Sequence, residues 1–125
     1  PGSVRITLAV GDAYLAARRY GDAEHAYRSA LAASPGHPNA AVGLAAVWLA
    51  RGDDERAVRL LERVLLDFPD HQRAQYDLAR ALFARRDLEG AREAWAKAAE
   101  IDPGSRLGRC AGDFVELLSD GATAL

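Results

Sequence analysis

The chain has 125 residues, half of them apolar, with 16 basic against 18 acidic side chains and a formal net charge of -2. Without a strongly basic or acidic tract, neither nucleic acid nor a membrane surface is the default partner, no apolar run approaches the roughly 18 residues of a membrane span, and a single cysteine, Cys110, excludes an internal disulfide. The length fits one domain whose core needs no metal or disulfide support.

Taken in chain order, residues 1–3 read as a remnant outside the folded repeats, and three windows of 34 residues follow, starting at Val4, Pro38 and Gln72. Pro35, Pro69 and Pro103 mark the same place in each window. Val10, Leu44 and Leu78 coincide, followed by the small Gly11, Ala45 and Ala79 and then the large Tyr14, Trp48 and Leu82. Further on, Ala23, Ala57 and Ala91 align, then Tyr27, Leu61 and Trp95, then Ala30, Val64 and Ala98. A large, a small and a large apolar residue on one helical face let a second helix approach closely. Each window is therefore expected to be a helix pair.

In the second window helix A is expected over about Pro38 to Arg51, with proline tolerated in the first turn and Gly52 free to take the left-handed conformation that ends a helix. Helix B is expected over about Asp54 to Asp67, capped by Asp53 and stopped by Pro69. The first and third windows carry Arg18 and Arg86 where the second has Gly52, which makes those turns less favourable by about 1 kcal/mol.

The run Thr7-x2-Val10-Gly11-x2-Tyr14, Ala23-x3-Tyr27, Pro35 resembles the tetratricopeptide repeat pattern, and the second and third windows resemble it with substitutions. Thr7, Ala41 and Gln75 replace the aromatic at the pattern's first position, and Ala45 and Ala79 replace its glycine. The resemblance covers about residues 4–104, as repeats 4–37, 38–71 and 72–104, and implies an all-α, right-handed solenoid of antiparallel helix pairs.

After the repeats, Leu107, Cys110, Ala111, Phe114 and Leu118 recur at spacings of three and four, which predicts one amphipathic helix over 105–119 and a tail over 120–125. Arg106, Arg109, Asp113 and Glu116 supply a polar outer side, so the helix is expected to cap the last repeat. On that helix Cys110 reads as a small buried hydrophobe.

Candidate chemistry is sparse. His37 and His71 occupy equivalent inter-repeat turns, expected about 10 Å or more apart and too far to share a metal. His25, beside Glu24, reads as a surface residue. No phosphate loop, nucleophile elbow or metal-spaced cysteine pair is present, and Asp53–Asp54 belongs at a helix start. The expectation is a non-enzymatic chain without catalytic residues, metal or cofactor. The start Pro1-Gly2-Ser3 and the absence of methionine suggest an excised fragment, and fifteen arginines against the single Lys97 suggest a GC-rich bacterial source, with the compartment, cytoplasm or periplasm, left open.

On helix A, repeat positions 2, 5, 6, 9, 12 and 13 lie opposite the core at 100° per residue. The family resemblance implies that this face lines a concave groove. Candidate partner-binding residues are Arg5, Leu8 and Asp12, then Asn39, Val42, Ala46 and Leu49, then Arg73, Tyr76, Asp77, Arg80 and Phe83, with Gly43 among the small residues leaving room. The apolar members suit a peptide or helical segment of a partner protein, and Arg5, Arg73 and Arg80 suit its acidic groups. Relatives that grip the acidic tail of heat-shock chaperones use basic and asparagine residues where this chain has Leu8, Asp12, Gly43, Arg73 and Asp77. Only Arg73 keeps that chemistry, which disfavours a chaperone tail. The expected function is an adaptor or scaffold for protein–protein interaction. The alternative is a docking or self-assembly domain of a larger bacterial cell-envelope assembly or secretion protein, acting in cis or by stacking.

Overall fold

Periodicity of 34 residues becomes seven helices in the computed structural model, which describes residues 3–124, with side chains as far as Ser119. They are α1 (Val4–Ala16), α2 (Tyr20–Ala33), α3 (Pro38–Ala50), α4 (Asp54–Asp67), α5 (Gln72–Ala84), α6 (Leu88–Ile101) and α7 (Arg106–Ala124). Pro35, Pro69 and Pro103 stand in the turns after α2, α4 and α6, where a residue without an N–H cannot continue the helix. The second repeat has its helices where the sequence places them, with Pro38 opening α3 and the Asp53 carboxylate accepting from the Arg56 N–H at 3.4 Å.

Every helix A closes in the same way. The residues at 18, 52 and 86 have φ of 61°, 84° and 67°. In each turn the next N–H reaches back five residues: Arg19 to the Tyr14 carbonyl at 2.9 Å, Asp53 to Trp48 at 2.8 Å and Asp87 to Leu82 at 2.9 Å. This is the 6→1 bond of a left-handed helix stop. Only Gly52 adopts it without a Cβ penalty, so Arg18 and Arg86 carry the strain expected from their sequence.

The chain divides into two compact units at Val64/Leu65, inside α4. In the first, Ala23, Tyr27, Leu44 and Val47 form a buried cluster, surrounded by Leu8, Tyr14, Leu15, Tyr20, Leu31, Trp48 and Leu60. The Tyr27 ring, with no exposed surface, occupies the space left by two glycines. A Cβ on Gly11 of α1 would lie 2.8 Å from it, and one on Gly43 of α3 would lie 2.3 Å from it.

In the second unit, Ala79, Ala91, Ala94, Trp95, Ala98 and Ala111 are buried together, with Tyr76, Leu78, Leu82, Ala99, Val115 and Leu118 against them. The cap helix α7 is tied down at its start. Ser105 Oγ accepts from the Gly108 N–H and donates to Gln72 Oε1, both at 2.9 Å, while Gln72 Nε2 donates to the Ala98 carbonyl at 2.8 Å. Gly108 passes so close to the end of α6 that a Cβ there would sit 1.9 Å from the Asp102 carbonyl oxygen. Arg106, Arg109, Asp113 and Glu116 face outward as expected, and Cys110 is half-buried and free. The helix differs from expectation in length: it continues through the segment read as a tail to Ala124. No proline interrupts Ser119–Ala124, and its alanines favour helix.

Candidate partner-binding surface

Helix α5 places Arg73, Asp77 and Arg80 at i, i+4 and i+7, so their side chains meet on one face. Asp77 is 1% exposed and accepts from Arg80 Nη1 at 3.2 Å, with Arg73 Nη1 at 3.8 Å on the same oxygen. Burial pushes the Asp77 carboxyl above the ordinary carboxylate range, and the two guanidiniums only partly offset it. Both arginines remain about half-exposed. Asp77 is thus an internal counterion that aims two cations, a correction to its reading as a groove residue in contact with a partner.

Alongside lies an aromatic cluster drawn from three helices. Trp95 of α6 stacks on Phe114 of α7 with ring centroids 4.4 Å apart and 16° between planes. Phe83 of α5 approaches Trp95 at 5.7 Å, and Tyr76 reaches both Trp95 and Phe114 at 6.4 Å. Trp95 is buried, whereas Phe83 is 48% exposed and Phe114 37%. The visible surface is therefore an aromatic edge supported from beneath. Tyr76 and Phe83 were legible as candidates; Phe114 was assigned to the cap alone, because its stacking joins residues far apart in sequence.

In the first unit the candidates divide differently. Arg5, Asp12 and Asn39 are exposed, Leu8, Ala46 and Leu49 are half-buried, and Leu8 packs on the Tyr27 cluster. Val42 is only 4% exposed, a second correction, since it offers a partner almost no surface. Gly43 leaves no room for a ligand either, because the Tyr27 ring fills it. Asp12 accepts the Tyr27 hydroxyl hydrogen bond. Burial, then that bond and the carboxylate charge, raise the phenol far above its usual range, so Tyr27 stays protonated.

Of the two inter-repeat histidines, His71 has a structural role. His71 Nδ1 accepts from the Ala74 N–H at 3.1 Å as the N-cap of α5, and burial lowers its pKa from the ordinary histidine value. Among the described residues no group of three or more His, Cys, Asp or Glu is placed to hold a metal ion, and no helix is long and apolar enough to cross a membrane.

A tetratricopeptide repeat model matches residues 14–73, and a second matches 55–106. The chain belongs to the tetratricopeptide repeat family. Its helices are three such repeats and a capping helix, the scaffold of a protein-interaction module. Comparison with curated protein sequences returns no match. Among solved structures, the tetratricopeptide repeat domain of Sgt2 from Aspergillus fumigatus superposes with a TM-score of 0.86 at 25% identity, covering 98% of this chain and 81% of that one. The type III secretion translocator chaperone SycD of Yersinia enterocolitica gives 0.87 at 15% identity, covering 98% and 96%. The first such domain of Spaghetti (RPAP3), solved with the HSP90 peptide SRMEEVD, gives 0.83 at 18% identity, covering 96% and 93%. At these identities the likeness concerns the fold.

Proposed function

We propose that this tetratricopeptide repeat chain is an adaptor that binds a peptide or helical segment of a partner protein, with the exposed face of α5 as the recognition element. The observation that carries this reading is the half-exposed pair Arg73 and Arg80, aimed by buried Asp77 and set on the same helix as the half-exposed Phe83. A guanidinium held by an internal carboxylate loses less rotamer freedom when it meets a second carboxylate. A half-exposed aromatic ring with a buried ring beneath it is a rigid apolar anchor. The complementary ligand is a segment with an acidic side chain close to a large apolar one. Related folds support a peptide or protein partner: one was solved with an HSP90 peptide, and another is a secretion chaperone. A chaperone tail remains disfavoured, because among the positions of such a clamp only Arg73 has the basic or asparagine side chain that it needs.

Arg73 and Arg80 both serve Asp77, so reversing them would gather three carboxylates and threaten the fold. The cleaner variant is Phe83→Ala combined with Arg80→Gln, which leaves Arg73 as counterion. Wild type and variant are used side by side as bait in lysate of the source organism. A protein retained by the wild type and lost by an equally helical variant supports the α5 surface and supplies the segment for titration. Equal retention by both rejects it.

A further inference from the structure

Helix α1, which opens the repeat series, exposes apolar side chains: Ile6 is 65% exposed and Val10 43%. Ala9, Ala13 and Ala16 are exposed on the same helix, as is its C-cap Ala17. Ile6, Ala9, Ala13 and Ala16 are spaced by three, four and three residues, the seam of a packed helix pair, with Val10 and Ala17 beside it. Arg5 and Asp12 lie together along the other flank, separated by seven residues or about two turns. Among the described residues Arg5 makes no ion pair, and the hydrogen bond of Asp12 is the one it accepts from the Tyr27 hydroxyl.

We infer that α1 is a self-association surface, and that its occupant is α1 of a second copy of this chain, packed antiparallel. Two charges of opposite sign on one flank are self-complementary about a two-fold axis: Arg5 of each copy meets Asp12 of the other, and both ion pairs form at once. A parallel partner would set this flank against the opposite flank of its mate, so Arg5 and Asp12 would not pair with each other. The alanines let the two backbones approach closely, and Ile6 and Val10 supply the apolar contact. The contact is small. A helix of 13 residues is about 20 Å long and 10 Å wide, far short of the roughly 1,200 Å² that a stable complex buries. The dimer is therefore a weak and dynamic one. This inference is independent of the α5 surface, whose variants leave it untouched.

Sedimentation velocity on the chain, from the low micromolar range to about 1 mM, reads it directly. The weight-average mass of the wild type rises from the 13.4 kDa monomer toward twice that value. Ile6→Lys weakens association at least about tenfold with an unchanged melting temperature. Arg5→Glu does the same, whereas Arg5→Lys, which keeps the charge, retains association, a rescue that loss of a generic sticky patch would not give. Should Ile6→Lys lose helicity, the exposed Arg5→Glu keeps the test decisive. A wild type that stays monomeric to 1 mM overturns the inference, as does equal association of the wild type and Arg5→Glu. Capture of a different protein through α1 by a monomeric chain would assign the face to that partner and overturn it as well.

Discussion

Gly43→Ala isolates the packing of Tyr27. In an unencumbered helix interior this substitution stabilises by about 1 kcal/mol, because alanine loses less backbone entropy than glycine. Here the new Cβ would stand 2.3 Å from the Tyr27 ring, against an ordinary carbon–carbon separation of about 3.5 to 4.0 Å. The ring cannot yield freely, since it is fully buried and its hydroxyl is bonded to Asp12. Overpacking costs about 1 to 3 kcal/mol, and losing a hydrogen bond to a charged group adds roughly 1.5 to 3 kcal/mol. The expected net result is a loss of about 1.5 to 5 kcal/mol. With the ring removed by Tyr27→Ala, itself costing about 3 to 5 kcal/mol, Gly43→Ala should reverse sign and stabilise. Urea unfolding of the four proteins, followed by helicity and by tryptophan emission, measures this cycle. Trp48 lies in the first unit and Trp95 in the second, so emission from single-tryptophan versions separates their responses. A stabilising Gly43→Ala in the wild-type background, or additive effects in the cycle, would refute the wedge.

Three further outcomes are expected. Arg18→Gly and Arg86→Gly each relieve a left-handed backbone position and should stabilise by about 0.5 to 1 kcal/mol in urea melts, whereas Gly52→Ala should destabilise. His71 has a folded pKa below its unfolded value of about 6.5, so the unfolded chain binds more protons between the two. Its contribution is present above about pH 6.5 and is lost as pH falls toward the folded pKa; His71→Asn, which keeps a capping oxygen, should flatten that slope in thermal melts. Deleting residues 104–125 uncovers the last repeat and should cause aggregation visible by light scattering, because each exposed large side chain forfeits about 1.5 to 3 kcal/mol of burial. A soluble truncated monomer with the parent melting temperature would remove the capping role from α7.

The parts of this fold that the sequence displays are those repeated at 34 residues. Helix ends at Asp53 and Pro69, the shared turn at Arg18, Gly52 and Arg86, and the small-large alternation all reflect local backbone needs that recur three times. What depends on contact between distant side chains was harder to see. A single-helix projection puts Gly43 in the open arc of α3, but Tyr27, which fills its space, comes from another helix. The same projection treats Asp77 as one exposed acid among its neighbours, although arginines at i-4 and i+3 were a signal that it could be buried and paired. The wheel position of Val42 marks it as open, but neighbouring helices bury it. Helix α7 runs past Ser119 because apolar periodicity marks only the part of a helix that packs, and its last turns had no pattern to announce them.

The Trp95–Phe114 stack has a thermodynamic consequence. Phe83 and Tyr76 touch the same rings that hold α7 against α6. A ligand resting on Phe83 therefore shares its contacts with the helix that closes the array, and by reciprocity whatever free energy it lends to α7 docking, α7 docking lends to its affinity. Amide protons of α7, far along the chain from Arg73 and Arg80, then become the reporters of occupancy: their exchange slows in proportion to saturation. A terminal helix whose first duty is to shield apolar surface would in this way also set the tightness of recognition.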